Sequence, residues 1–239
     1  MDKLPLPSNV ATLGDFEIAP GFKASRWNQL EIQSGTRWSP DWEKAVGVFE
    51  KRINARFINQ IKVLITNRDQ ATAGFCGFAV VALDCLLIET LDQFYNGNHT
   101  TRRKSTKDDD PDIKAFHDVF HRSSILRNVF DALEKTKVFY QQIRCGLLHQ
   151  AQTKGDSKIN RRIDTAVKWC DPANPRNGLV VHPCLFHECV EQVYADYLTQ
   201  LRNRSNGNLR SRFRKKMNRI AAGKKSTVSE TVSESRGKY

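Results

Sequence analysis

Apolar residues recur every three to four positions through most of this chain, and the breaks in that rhythm divide it into elements. Trp42, Ala45, Phe49, Ile53, Phe57, Ile61 and Leu64 fall at helical spacing. Ser39, Pro40 and Asp41 stand before and within the first turn as cap, first-position proline and acid, which predicts a long amphipathic helix to about Asn67. A second helix is predicted from about Ala71 to Phe94, stopping at Asn96-Gly97. It is apolar around most of its circumference, as a central bundle helix would be. A polar loop, His99 to Asp110, carries Arg102-Arg103-Lys104 and then Asp108-Asp109-Asp110. Pro111 opens a short helix to about His121. Leu126, Val129, Phe130, Leu133, Tyr140, Ile143 and Leu147 predict one further long helix, from about Ser124 to Gln150.

The pattern changes after Gly155. Ile163 to Trp169, a turn-rich stretch from Asp171 to Gly178, and Leu179 to His182 read as a small β-hairpin. Pro183 starts another helix through Phe186, Val190, Val193, Tyr194, Tyr197 and Leu201, and Asn206-Gly207-Asn208 breaks it. Leu209 to Ala222 is a short basic helix. The expected fold class is therefore all-α: a helical bundle of four to six helices with a small β-hairpin elaboration near the C-terminal third. Its expected organisation is an irregular arm, 1–38, lying across the core through Phe16, Phe22 and Trp27, followed by a helical domain, 39–204. Within that domain 41–152 is the core and 160–204 the hairpin and extra helix. A basic helix, 205–225, and a Ser/Thr/Glu-rich tail expected to be disordered, 226–239, complete the chain.

Charge sharpens this picture. The net charge is +12, yet the stretch from Arg202 to Lys225 holds ten basic residues and no acidic one, leaving 28 basic against 26 acidic residues elsewhere. A basic extension on a nearly neutral domain suits a polyanionic partner; a solubilising tail is the plainer alternative. Arg210, Arg212, Arg214, Lys215 and Lys216 surround Phe213, a composition suited to the backbone of single-stranded RNA with occasional stacking. The most apolar stretch, Thr72 to Leu91, carries Asp84 and Glu89, so no membrane span is expected. The N-terminus lacks the basic start and apolar run of a secretory signal. A cytoplasmic location is expected, where the six cysteines would stay reduced.

The stretch Phe139-Tyr140-Gln141-Gln142-Ile143-Arg144-Cys145-Gly146-Leu147-Leu148-His149 resembles the signature of the HEPN superfamily, an arginine followed after four to six residues by a histidine. The resemblance covers roughly residues 41 to 152. The family usually has Asn, Asp or His after the arginine, where this chain has Cys145. The resemblance implies a metal-independent endoribonuclease acting on RNA, with Arg144 and His149 as the catalytic pair and a homodimer whose two sites share one cleft. It also implies a polar residue reaching the site from the preceding helix, for which Glu89 is the candidate; Asp84 is at least as well suited to a structural pairing with another basic group. Standalone members resemble toxins of toxin-antitoxin pairs or antiviral defence effectors, which adds an inhibitor or antitoxin protein to the expected partners.

The residue types fit that chemistry. RNA carries its own nucleophile, the 2′-OH, so the protein must supply proton transfer and stabilise phosphorane charge, without needing a cofactor. A histidine titrates near neutrality and suits acid/base work. An arginine offers a planar, permanently charged fork to phosphate oxygens. The expected products are a 2′,3′-cyclic phosphate and a 5′-hydroxyl. Tyr140, one turn before Arg144, would stack or hydrogen-bond near the cleft, or serve only the core. Residues five apart on a regular helix are rotated by about 500°, some 140° from eclipse, so Gly146 and the polar stretch after His149 are expected to fray or end the helix there.

Other clusters compete. His182, Cys184, His187 and Cys189 are ligand types zinc accepts, without the usual paired spacing, and no metal is expected. His117 and His121 lie one turn apart, as do Cys145 and His149, with no identifiable orienting acid for a Cys–His pair. Arg176 and His182 match the looser spacing but fall in the hairpin. The rival readings are a non-catalytic HEPN-like module that binds RNA or a nucleotide, and a metal-dependent enzyme built around His182 to Cys189.

Overall fold

The computed structural model describes residues 15–32, 39–67, 70–98 and 110–223, with 70–74 described for their backbone alone. The predicted tail 226–239, nearly all of the polar loop His99 to Asp110 and the first fourteen residues of the arm lie outside the described residues. Within them the chain is mainly helical, with sheets of two and three strands.

The first predicted helix forms as α2 (Pro40–Ile53), a π-helical turn (Asn54–Ile58) and α3 (Asn59–Thr66), with Pro40 at its start and Asp41 and Glu43 in its first turn. α4 (Gln70–Asn96) is the axis of the fold. Val80, Val81, Cys85, Leu87, Ile88, Leu91 and Phe94 are buried on it. It packs on α3, α5 (Pro111–Phe120), α9 (Pro183–Arg202) and α10 (Gly207–Ala222). Gly97 ends it at φ +65°, and a Cβ there would stand 3.0 Å from the Cα of Arg212. Only glycine allows both the left-handed turn and that approach.

The long helix expected from Ser124 to Gln150 is instead broken. It forms as α6 (Ser124–Val129), α7 (Leu133–Phe139), a second π-helical turn (Tyr140–Arg144) and α8 (Cys145–Gln150). The break falls at Phe130, whose backbone turns to φ −109°, ψ 50°. There its ring stacks on Phe120 at 4.3 Å and meets Phe139 and Trp169 edge-on, while its carbonyl lies 2.9 Å from His121 Nε2. Leaving the helix lets a large aromatic ring enter the core from a position periodicity assigns to a continuous stripe.

The arm, expected to be irregular, contains β1 (Glu17–Ala19) paired antiparallel with β2 (Phe22–Lys23), then α1 (Ala24–Asn28). Ile18, Ala24 and Trp27 are buried; Trp27 meets Phe213 edge-on at 6.2 Å and donates from Nε1 to Asn218 Oδ1 at 2.8 Å. Phe22 is half-buried and Phe16 largely exposed. The predicted hairpin forms as β4 (Val167–Trp169) against β5 (Leu179–Val181). A strand the periodicity does not reveal, β3 (Lys158–Ile159), pairs parallel with β5, giving the order β3-β5-β4. Two residues are too few to show an alternation. The basic helix α10 is part of the core: Phe213 and Met217 are fully buried, and Phe213 sits among Trp42, Phe49 and Phe94. No helix among the described residues is long and apolar enough to cross a membrane.

Candidate active site

Arg144 closes the π-helical turn, and Glu89 projects from α4, 55 residues earlier. Arg144 Nε donates to Glu89 Oε1 at 2.8 Å, and Nη2 lies 2.7 Å from the same oxygen. Both side chains are mostly withdrawn from solvent, at 17% and 16% exposure, which separates this pair from an ordinary surface ion pair. Burial works against the guanidinium charge, but the Glu89 carboxylate outweighs it and holds Arg144 above its usual range. The guanidinium carbon also lies 5.2 Å from the centre of the Tyr140 ring, within cation–π range. Tyr140 is buried, its hydroxyl donates to Asp112 Oδ2 at 3.2 Å, and burial pushes its phenol up. A chain of contacts thus runs from α5 through Tyr140 to Arg144 and on to α4.

Gln142 anchors the motif helix to the rest of the fold. Its carbonyl accepts from Lys154 N at 2.8 Å, its Oε1 from Ser157 Oγ at 2.7 Å, and its Nε2 donates to the Arg176 carbonyl at 3.2 Å. Gln142 and Asp112 were not singled out from sequence, because nothing in a polar residue's helical position says which distant loop will meet it. The segment 152–154 crosses directly over Gly146, where a Cβ would collide with the carbonyl oxygen of Gln152. Gly146 therefore serves a close crossing of backbone. It does not fray the helix, which continues to Gln150 and ends where Ala151 turns to φ +53°.

His149 stands on the last turn of α8, exposed, with no hydrogen bond or ion pair to a described residue. Between Arg144 and His149 the backbone is regular α-helix, so the two directions differ by about 140°. Arg144 faces α4; His149 faces outward. Glu89 belongs with Arg144, whereas Asp84 does not. Asp84 is fully buried against His187, with Oδ1 and Nδ1 2.8 Å apart, and burial raises its carboxyl to about 6 even though His187 opposes the shift. Glu191 lies on the other side of His187 at 3.8 Å and pairs with Lys62 at 2.7 Å.

The remaining ligand-type residues have other engagements. His182 Nδ1 accepts from Leu185 N and caps α9. Cys184 and Cys189 are raised by burial, Cys189 to about 11. His117 and His121 have ring centres 4.0 Å apart, but His117 Nδ1 lies 3.0 Å from Thr136 Oγ1 and His121 is held at Phe130. Among the described residues no group of three or more His, Cys, Asp or Glu side chains is placed to hold a metal ion.

Most cations of α10 are engaged by the fold, Arg212 while remaining exposed. Arg210 is buried with its guanidinium 4.0 Å over the Trp42 ring, and Lys216 is buried with its ammonium 2.6 Å from Gln93 Oε1. Arg212 Nη1 donates to the Tyr95 carbonyl at 3.2 Å and Arg219 Nη1 to the Gly97 carbonyl at 3.5 Å. These cations meet the carbonyl end of α4, where positive charge is favoured. Arg214 is half-buried and donates to the Ile32 carbonyl; Arg212 and Lys215 are exposed. Of the five cations expected to contact RNA, two are therefore interior. On α4 itself, Phe75 (80% exposed), Phe78 and Leu86 leave an apolar stripe open to solvent that leads along the helix to Glu89. Set against protein-family models, curated proteins and solved structures, the chain matches none of them.

Proposed function

We propose that this chain is a metal-independent endoribonuclease of the HEPN type, with a helical-bundle core and Arg144 and His149 as its chemical pair. The observation that carries the reading is the Arg144–Glu89 fork: a guanidinium oriented through Nε and Nη2 by a carboxylate of α4, with an exposed, unengaged histidine five residues further along the chain. An oriented guanidinium can meet a phosphate with little loss of side-chain freedom. His149 moves the proton of the attacking 2′-OH or the leaving 5′-oxygen, and Arg144 stabilises the charge on the non-bridging oxygens. Tyr140 holds the guanidinium from one side.

The outward-facing histidine and the open apolar stripe of α4 fit a homodimer, in which His149 of one copy can approach a phosphate held by the partner copy. RNA approach is assigned to the exposed cations Arg212 and Lys215 with Arg214. The role as a toxin or defence effector, an inhibitor or antitoxin partner and a cytoplasmic location belong to the same proposal. In the test, labelled RNA is incubated with wild type, Arg144→Ala and His149→Ala in the presence of a strong chelator. The wild type should leave 2′,3′-cyclic phosphate ends and spare DNA, and both variants should fold yet lose cleavage. Full activity in both variants sinks the assignment.

One observation favours a second reading. Glu89 already balances the Arg144 charge, as a non-catalytic RNA- or nucleotide-binding module would require for stability alone. Such a protein would bind RNA and leave no cleaved product under any condition.

A further inference from the structure

A cleft of about 710 Å³ opens between the α5–α6 corner, α9 and residues 164–166, and none of its lining residues belongs to the Arg144 site. Its volume is in the range of small-ligand pockets, roughly 300–1,000 Å³. The α5–α6 corner brings Arg122 and Arg127 to it. α9 brings Glu188, Gln192 and Asp196, spaced four residues apart and so along one face, and Asp164 adds a further carboxylate. Leu185, Cys189 and Ala166 supply apolar surface, and Ile125 stands 56% exposed at the same cleft.

Opposite charges line this cleft without neutralising one another. None of Arg122, Arg127, Asp164 and Glu188 makes an ion pair with a described residue. Arg122 is nevertheless held in place: its guanidinium lies 3.6 Å over the ring of buried Tyr95, a contact that orients it without a counter-charge. Asp196 is oriented by Gln192 Nε2 at 2.9 Å. Cations on one element, carboxylates on the other and apolar surface between them are complementary to a ligand with an anionic end, an apolar body and a cationic end. A nucleotide or polyanion would set its phosphates against the carboxylates as well as the arginines, at a Coulombic cost.

We propose that this cleft binds a short unblocked peptide of apolar residues, its C-terminal carboxylate on Arg122 and Arg127 and its N-terminal ammonium on Glu188. An extended tripeptide spans roughly 10 Å at 3.3–3.6 Å per residue. Glu188 lies eight residues, about 12 Å of helix rise, from Asp196, which shares Tyr95 with Arg122, so the two ends of the cleft stand a comparable length apart.

Trileucine is the probe, titrated into the full-length protein by isothermal calorimetry and by amide NMR, beside its N-acetyl, C-amide and doubly blocked forms. Trileucine should bind, and blocking either end should weaken binding at least about tenfold. Arg127→Gln and the double variant Arg122→Gln/Arg127→Gln should weaken trileucine by a similar factor yet leave the affinity for the C-amide form unchanged. Glu188→Gln should do the same with respect to the N-acetyl form. Circular dichroism confirms that each variant is folded, and Arg127→Gln, remote from Tyr95 stacking, keeps the test valid if Arg122→Gln disturbs the fold. No binding of trileucine at several millimolar, equal binding of the doubly blocked peptide, or displacement of the peptide by a mononucleotide would each overturn the proposal. None of these readouts depends on RNA cleavage.

Discussion

Glu89 and Arg144 sit where neither can be well hydrated, so breaking their contact costs more than breaking a surface ion pair. Glu89→Gln keeps the shape of the side chain but leaves the guanidinium without its balancing charge. Its urea midpoint should fall by an amount equivalent to about 1–3 kcal/mol. If the proposed chemistry holds, RNA cleavage should fall at least tenfold beside it, because Arg144 is no longer held in one direction. The buried Asp84 makes a different kind of prediction. Its carboxyl is raised from 3.8 to about 6, so between those values the folded state binds more protons than the unfolded chain. The Asp84 contribution therefore favours folding at low pH and is lost as pH rises through about 6. The stability difference between wild type and Asp84→Asn, followed by chemical denaturation from pH 4 to pH 7, should shift against the wild type as pH increases. A difference independent of pH over that range would contradict it.

At the scale of elements, the motif helix owes its position to what crosses it. Segment 152–154 closes over Gly146, Lys154 N reaches the Gln142 carbonyl, and Ser157 and the Arg176 carbonyl hold the Gln142 side chain. Gly146→Ala introduces a Cβ where the Gln152 carbonyl lies. It should cost roughly 1–3 kcal/mol, the usual penalty for overpacking a tight contact. Hydrogen exchange at the Lys154 amide should accelerate more than exchange at amides of α4. Equal protection in wild type and variant would mean that the crossing is not what holds this loop. The break at Phe130 belongs to the same scale, since one ring entering the core beside Phe120, Phe139 and Trp169 outweighs a few helical hydrogen bonds.

For the molecule as a whole, the excess of positive charge is partly spent on the fold. Arg212, Lys216 and Arg219 meet the last turn of α4, Arg210 covers Trp42, and Phe213 and Met217 bind α10 into the core. Arg212 and Lys215 remain exposed. Substituting both by Gln should weaken RNA binding across sequences and lower the slope of log affinity against log salt by about 1–2. Lys216→Met should instead alter thermal stability and leave that slope nearly unchanged. Fluorescence titrations of a labelled RNA at several salt concentrations separate the two, and an unchanged slope in the first variant would show that α10 does not face RNA.

The spacing of apolar residues was enough to locate most helices, because periodicity records which side of a segment is kept from water. Pro40, Gly97 and Pro183 marked their ends through local backbone chemistry, whereas the Ser39 hydroxyl, expected to cap α2, donates to the Glu31 carbonyl at 3.0 Å and makes no cap. The resemblance of residues 139–149 to the HEPN signature brought Arg144, His149 and Glu89 forward as one group. Which acid would meet Arg144 was settled only in three dimensions: Glu89 does so across 55 residues, while Asp84, five positions away on the same helix, turns to His187 across 103. The break at Phe130, the strand at Lys158–Ile159, the crossing over Gly146 and the burial of Arg210 and Lys216 were likewise decided by packing. A single sequence shows that a face is buried or that a charge is present. It does not show which distant segment will cover the face or answer the charge, since that depends on how all the elements fill space together.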